Sequence, residues 1–317
     1  MTASIDVVIP VLNRYDLTAR CLALLREQTA PHRVIVVDDG STDGTPERLL
    51  ADWPEVSLVS LDGNHGFSKA CNRGVREGSG EIVVLLNNDV ECPPDFLERL
   101  TRPLRDPAVG SVAALLLQLG GERIDGVGLT TDVTLAGFPR HQGRPLERAR
   151  DAVPALTGPS GAAGAYRRKA WEEVGGLDET IFAYAEDFDL ALRLRIAGWA
   201  SVAALDAVGI HLGSASFGHR SARQRRLGGF ARGYLLRRYG VLRRRAVLRA
   251  LATEAIVVLG DLVISRDSAA LLGRLAGWRA GGRLPRLPFP PIGSIETSIG
   301  LRDSLALRRG AYARSAA

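Results

Sequence analysis

Val83-Val84-Leu85-Leu86-Asn87-Asn88-Asp89-Val90 is an apolar run that stops at two amides and a carboxylate. A strand buried on both faces of a parallel sheet reads as such a run. In an open α/β sheet the ligand lies beyond the carboxyl ends of the strands, and Asp89 falls at such an end. Working outward, residues 5–10 read as a first strand that Pro10 ends. Residues 34–37 read as a second, running into Asp38-Asp39-Gly40-Ser41, residues 56–59 as a short third, and residues 109–117 as a later one. Between them, Leu17, Cys21, Leu24 and Leu25 keep helical spacing, residues 45–50 follow a turn and cap, and Phe67, Ala70, Cys71 and Gly74 share one helical face. This alternation predicts an α/β fold: a Rossmann-like, mostly parallel sheet flanked by helices.

Beyond this, residues 94–104 read as a helix with proline near its start. Residues 120–155 are weakly patterned and read as a variable loop with short strands, and residues 158–166 as small-residue backbone that lets chain and ligand approach closely. Residues 168–174 read as a short helix. A further helix follows Glu186-Asp187 and runs through Ile196, with Gly198 at its end and Asp189 and Arg193 spaced to pair. A strand over 199–205 precedes Gly209-Ile210-His211. Residues 221–281 are helical in pattern, basic and amphipathic, and residues 282–317 read as a loosely ordered tail. The expected organisation is a catalytic domain over 1–219, split near residue 117 into donor and acceptor halves, then a basic extension over 220–281 and the tail.

With 317 residues the chain can bury a sizeable core. Residues 1–4 lead straight into the first strand, and no segment reaches the roughly 18 apolar residues of a membrane-spanning helix. Three cysteines without paired or metal-ligand spacing suit a reducing compartment, so a cytoplasmic location is expected. The net charge of +6 is uneven: from Arg220 onward there are 20 arginines and no lysine against five acids. Arg223, Arg225, Arg226, Arg232, Arg237, Arg238, Arg243, Arg244, Arg245 and Arg249 have no acid near them in sequence. Such a tail predicts an anionic partner; we expect the inner face of the cell membrane, with nucleic acid disfavoured.

Three carboxylate clusters fall beyond apolar runs or at a helix start: Asp38-Asp39, Asp89 and Glu186-Asp187. Each alone has a structural reading as a turn, a cap or an acid at a helix N-terminus. Together they suit hard-metal binding at a substrate's phosphates, nucleoside contact and general-base chemistry.

In order along the chain, Val8-Ile9-Pro10 with Asn13, then Val37-Asp38-Asp39-Gly40-Ser41-Thr42-Asp43, resemble the donor-binding half of family 2 glycosyltransferases of the GT-A fold. Residues 64–74, from Asn64 to Gly74, are similar to a further signature, and Leu86-Asn87-Asn88-Asp89 resembles the metal-binding D-x-D position. Gly175-Gly176-Leu177-Asp178-Glu179 and Glu186-Asp187-Phe188-Asp189-Leu190 with Arg193 resemble the acceptor side. The resemblance covers roughly residues 4–215 and is closest to the rhamnosyltransferase-like, non-processive branch.

It implies that Pro10, Asn13, Asp38, Asp39, Asn64, Gly66, Phe67, Asn72 and Asn88 serve the donor nucleotide. Asp89, with Asn87 and His211, would hold Mn²⁺ or Mg²⁺. Asp187 would deprotonate the acceptor, with Glu186 the second choice. The donor would be a dTDP-, UDP- or GDP-linked sugar, rhamnose being the sugar the branch suggests. The acceptor would be a glycan or polyprenyl-linked glycan in cell-surface polysaccharide synthesis, and inversion would follow from direct displacement. Two departures stand out. The first D-x-D position is Asn87, and Gln224-Arg225-Arg226-Leu227-Gly228 lacks the tryptophan of the processive Gln-x-x-Arg-Trp motif. A nucleotide-sugar-binding or membrane-scaffold protein without turnover is the alternative that Asn87 favours. A sugar nucleotidyltransferase ranks lower, because Pro10-Val11-Leu12-Asn13-Arg14 is no glycine-rich phosphate loop.

Overall fold

The structure, a computed structural model, describes residues 3–213 and 221–313; the expected boundary at 219/220 and residues 314–317 lie outside them. The predicted alternation is present: β1 (Ile5–Val11), α1 (Tyr15–Arg26), β2 (Arg33–Asp38), α2 (Thr45–Asp52), β3 (Ser57–Ser60), α3 (Phe67–Glu77) and β4 (Ile82–Leu86). There follow β5 (Val90–Glu91), α4 (Phe96–Thr101), β6 (Val109–Gln118), β7 (Ile124–Val127), β8 (Leu129–Thr131) and β9 (Gly137–Pro139). The chain then forms β10 (Ala163–Arg167), α5 (Arg168–Glu173), α6 (Glu186–Ile196) and β11 (Ala200–His211). The C-terminal part is helical: α7 (Ala222–Arg238), α8 (Val247–Ile264), α9 (Ala269–Gly282) and α10 (Leu301–Ala313).

One sheet runs in the order β3-β2-β1-β4-β10-β6-β11-β5, with β7 also on β6. β1, β2, β3 and β4 pair in parallel, as do β6 and β11. Every residue of β4 is buried. Alternate residues face opposite sides: Val84 and Leu86 meet Leu22 and Leu25 of α1 and Phe96 of α4 in one core, while Val83 and Leu85 meet Cys71 and Val75 of α3 and Leu190 of α6 in the other. Burying each such side chain stabilises the fold by roughly 1.5–3 kcal/mol, which is why the run is apolar throughout. The expected pair forms: Arg193 Nε lies 2.7 Å from the buried Asp189.

β10 was not legible as a strand, having been read as close-approach backbone. It lies antiparallel between β4 and β6, with Ala163 opposite Leu86 and Gly164 opposite Ala113. Its Ala-Gly-Ala sequence lacks β-branched residues, but small side chains suit the crowding there: a Cβ on Gly164 would stand 2.7 Å from that of Pro159.

The tail departs further from expectation. Residues 283–300 pack on the rest of the chain rather than lying loose. Glu296 N donates to Thr131 O at 2.7 Å, Thr157 Oγ1 donates to Ser294 O at 3.0 Å, and Ile295 and Ile299 are buried. Pro-rich backbone carries little pattern of its own, so order that comes from its partners does not show in its sequence. Nor are all the arginines without acidic neighbours. Arg232 pairs with Glu254, Arg249 with Asp132 and Arg225 with Asp267, acids that are distant in sequence.

α7 and α9 pack backbone to backbone through two glycine ladders. A Cβ on Gly233 would stand 2.0 Å from Arg274 O, and one on Gly277 would stand 1.9 Å from Phe230 O. Small residues at every fourth position allow this approach. Gly277→Ala is expected to destabilise the helical part by about 1–3 kcal/mol through overpacking. Urea unfolding followed by Trp278 fluorescence checks it, and an unchanged midpoint would contradict the ladder.

Candidate active site

The loops at the carboxyl ends of β1, β2 and β4 carry the first expected residues. Pro10 lies within β1, opposite Val37. After β1, Asn13 and Arg14 are both left-handed, at φ 59° and 66°. Such tandem strain in non-glycine residues persists only where surroundings enforce it. Here Asn13 N donates to Ser41 Oγ at 2.6 Å, Thr42 N donates to Asn13 Oδ1 at 2.9 Å, and Ser41 N donates to Asp38 Oδ2 at 3.2 Å.

Asp39 is buried and accepts from His65 N at 2.7 Å and Gly66 N at 2.8 Å. Burial raises its pKa against the pull of those two N–H groups. Gly66, at φ 92°, could carry no side chain, since a Cβ would stand 2.4 Å from Phe182 O. Asn64 is exposed in the same loop.

Two expected donor contacts are occupied elsewhere. Asn72 is buried; its Oδ1 accepts from Leu177 N at 2.9 Å and its Nδ2 donates to Leu177 O at 2.8 Å. It thus clamps the Gly-Gly-Leu turn to α3 instead of facing a nucleotide. Asn88 Nδ2 donates to Thr18 Oγ1 at 2.9 Å, which ties the end of β4 to α1.

Beyond β4, the antiparallel pairing of His211 with Val90 seats the imidazole beside Asp89. His211 Nε2 lies 3.4 Å from Asp89 Oδ1, and Nδ1 lies 2.8 Å from Asp125 Oδ2. Burial alone would lower the imidazole pKa, but Asp125 and Asp89 together outweigh it and push it up to about 10. This spot therefore favours positive charge between two carboxylates. Oxygen and imidazole donors of this kind fit Mn²⁺ or Mg²⁺. His211 is hydrogen-bonded to Asp125 and ion-paired with Asp89. Among the described residues no three His, Cys, Asp or Glu side chains form a ready metal cage. That suits an ion completed by a substrate's phosphates.

Asp125 was not anticipated. Leu116 pairs with Gly126 and Leu117 with Ile124, so Asp125 is the extra residue of a bulge. A bulge re-aims one side chain, here toward His211. The one sequence signal was a lone acid within the short Ile124–Val127 segment.

Opposite, Tyr184 and Ala185 are also tandem left-handed residues, at φ 71° and 64°, and they present Glu186 and Asp187 at the start of α6. Asp187 Oδ2 accepts from Gly161 N at 2.8 Å and Oδ1 from Phe188 N at 2.7 Å. Burial pushes the Asp187 pKa up against those N–H groups. Glu186 is buried with no hydrogen-bond partner at Oε2; burial first and the Asp187 charge second push its pKa up to about 8. Burial of two neighbouring carboxyls thus favours keeping a proton within the pair.

A cleft of about 530 Å³ joins the two clusters, with Asn87, Asp89, Asp125 and His211 on one wall and Glu186 and Asp187 on the other. Phe67 also lines it, while the pockets of Asn13, Asp38 and Asp39 stand outside its walls. The family model "Glycosyl transferase family 2" matches residues 6–175, more than half of the chain.

The chain belongs to glycosyl transferase family 2.

Glu186, Asp187 and His211 lie beyond the matched residues. Among relatives, an O-antigen biosynthesis protein RfbC of Myxococcus xanthus is 30% identical over 228 residues, 68% of this chain and 18% of that protein. An N-acetylglucosaminyl-diphospho-decaprenol L-rhamnosyltransferase of Mycobacterium tuberculosis is 30% identical over 195 residues, 54% of this chain and 64% of that one. The chain thus spans less than two thirds of the length of these relatives. Among solved structures, GalNAc-T7 with UDP, GalNAc and Mn²⁺ superposes with a TM-score of 0.60 at 13% identity, covering 90% of this chain and 55% of that one. The mannosyltransferase PcManGT of Pyrobaculum calidifontis, in complex with GDP-Man and Mn²⁺, gives 0.54 at 21% identity, covering 97% and 79%. The fold is the GT-A fold of glycosyltransferases.

The titration of Glu186 has a consequence for this family 2 domain. The folded chain holds the proton to about pH 8, while the unfolded chain releases it near 4.5. The folded state binds the extra proton within that window, so this group lowers stability as the pH rises through it. Glu186→Gln removes that cost. It should gain on the wild type as the pH rises from about 4.5 to about 8, and the difference should close toward about pH 4. Urea midpoints across the range check this; a gap independent of pH would contradict it.

Proposed function

We propose that this family 2 chain is an inverting glycosyltransferase. It moves one sugar from a nucleoside-diphosphate donor to a glycan or polyprenyl-linked acceptor, with a divalent cation at Asp89. The single observation that carries the reading is the cleft in which Asp187 faces the Asp89–His211–Asp125 cluster. The sugar to test first is rhamnose, because one relative is named as an L-rhamnosyltransferase and another as an O-antigen biosynthesis protein.

Asp187 accepts the proton of the acceptor hydroxyl as its oxygen attacks the anomeric carbon, and the bond to the diphosphate breaks on the opposite side. The N–H groups of Gly161 and Phe188 fix the carboxylate in place for that step. Protonated Glu186 keeps a second negative charge away from the acceptor. Asp89 and His211, with Asn87 beside them, would hold Mn²⁺ or Mg²⁺, which supplies charge neutralisation at the leaving diphosphate. Asp125 orients His211. Asp39 and the Asn13–Ser41 turn form the rim where the nucleoside is read.

The likeness to the decaprenol-linked relative supports work at a membrane surface, on the cytoplasmic side. No helix among the described residues is long and apolar enough to cross a bilayer. α8 nevertheless exposes Leu248, Leu251, Ile256, Leu259 and Val263 along one side. Its charged residues Glu254 and Asp261 are half-buried against arginines. Exposed Arg243, Arg244 and Arg245 lie at one end and exposed Arg266 near the other. A bare apolar row between arginines suits an anionic bilayer, whereas two antiparallel copies would bring like charges together.

Asp187→Asn is expected to cut transfer by about 10²- to 10⁴-fold while nucleoside diphosphate still binds. A panel of nucleotide sugars with Mn²⁺ or Mg²⁺, scored for released nucleoside diphosphate, measures it, and normal turnover would remove Asp187 from the mechanism. Wild type should sediment with anionic vesicles. Leu251→Glu combined with Leu259→Glu should lose at least about tenfold of that affinity without loss of fold, since both positions are exposed. Equal sedimentation of the two proteins would sink the α8 surface.

A further inference from the structure

A second cavity, of about 420 Å³, continues from Asp187 beneath the C-terminal helices. One side is apolar, with Leu135, Phe138, Phe188, Leu235 and Val257, and the other carries Arg232, Arg274 and Arg308. The three guanidinium groups share one carboxylate. Glu254 Oε1 accepts from Arg232 Nε at 2.7 Å and Oε2 from Arg274 Nε at 2.8 Å. Arg308 stands 3.5 Å from Oε1, and its buried Nε and Nη2 have no hydrogen-bond partner. Asp132, whose charge also acts on Arg308, is already paired with Arg249 at 2.9 Å.

The cluster is therefore short of negative charge. Burial would raise the Glu254 pKa, yet the three arginines push it down to about 2, while burial and Arg232 push that of Arg308 down to about 10. Asp261 and Arg225 also line the cavity; burial raises the Asp261 pKa, against the pull of Arg274 and Arg225. Unsatisfied buried guanidinium N–H groups are costly unless an anion meets them. A planar guanidinium fork matches phosphate oxygens.

We propose that this cavity is the acceptor's diphosphate site: Arg308 and Arg274 bind the diphosphate, the apolar wall takes the first part of a prenyl chain, and the glycan end reaches Asp187. The assignment rests on the transferase reading above and names its acceptor class as a prenyl-diphosphate-linked sugar. It also gives the tail helices a direct part in acceptor recognition. The glycine ladder sets Arg274, on α9, one turn from Ala270 against α7, and α10 brings Arg308 to the same point. The exposed apolar row of α8 lies on the outside of the same helix whose Val257 lines the cavity.

The test is calorimetric binding of farnesyl diphosphate, farnesol and inorganic pyrophosphate to the full chain in EDTA, which silences any metal-dependent donor site. Farnesyl diphosphate should bind, and farnesol should bind at least about tenfold more weakly, the scale of one charge-assisted contact. Arg308→Gln and Arg274→Gln should each weaken farnesyl diphosphate by at least about tenfold, and Arg308→Lys by less. Nucleoside diphosphate binding with Mn²⁺ should stay unchanged in all three variants, which also reports that they are folded.

Unaltered farnesyl diphosphate binding in both Gln variants would overturn the site. So would displacement of farnesyl diphosphate by a nucleoside diphosphate in EDTA. Inorganic pyrophosphate binding as tightly as farnesyl diphosphate would overturn a lipid as the source of the diphosphate. No sugar is transferred in this assay. A chain that binds farnesyl diphosphate through Arg308 but releases no nucleoside diphosphate from any donor would fail the transferase reading and leave a prenyl-diphosphate site that is not an acceptor site.

Discussion

The backbone ladder that seats Ala163–Arg167 antiparallel between β4 and β6 is the constraint on which the site depends. β1 to β4 form one parallel block, and β6 with β11 forms another. β10 bonds to both, with Ala163 opposite Leu86 and Tyr166 opposite Ser111. Just before the strand, Asn87 N donates to Ala162 O at 2.9 Å, and one residue earlier Gly161 N donates to Asp187 at 2.8 Å. A single short segment thereby ties the end of the donor-side strand to the carboxylate at the start of α6. A slip of one residue would turn its small side chains to the other face and move Gly161 away from Asp187.

Charge explains why such rigid positioning is needed. Cys71, deep beneath the cleft, has its thiol pKa pushed well up by burial and then by Glu186, Asp39 and Asp187. Three acids from both halves are thus close enough to act on one buried atom. Carboxylates brought together out of water repel, and each has a local remedy. Asp39 takes two backbone N–H groups, Asp187 takes two more, and Glu186 keeps its proton. At Asp89 the remedy is positive charge from His211, held on its other side by Asp125. Each cluster of the cleft thus carries its own counterweight to carboxylate repulsion.

Much of this was legible because burial on both faces of a sheet leaves a plain mark. β4 is apolar throughout and β2 is apolar over Val34–Val37, and Asp89 and Asp38-Asp39 stand just beyond those runs. What stayed hidden depends on pairing rather than composition. β10 has the residues of a loop and is a strand because two neighbours bond to it. Asp125 matters because a bulge turns it, which no local pattern announces. The bonds of Asn72 to Leu177 were equally hidden, since an amide in a sequence reads the same whether it faces a ligand or a turn. The packed segment 283–300 takes its order from Thr131, Ala155 and Thr157, far away in sequence.

The tail illustrates the same point about charge. Its arginine excess reads as one uniform feature along the sequence, yet the fold divides it by position. Arg232, Arg249, Arg274 and Arg308 turn inward, to Glu254 and Asp132, because α7 and α9 approach closely enough for glycine backbones to touch. Arg243, Arg244, Arg245 and Arg266 stay outside. With the polar side of α8 drawn inward by that cluster, its leucines are left facing out, the reverse of an ordinary surface helix. The ion pairs of Glu254 with Arg232 and Arg274 lie on the inner side of this helix. The inner ion pairs and the outer apolar row lie on opposite sides of one helix, so the charge inside the tail and the surface it presents are one feature rather than two.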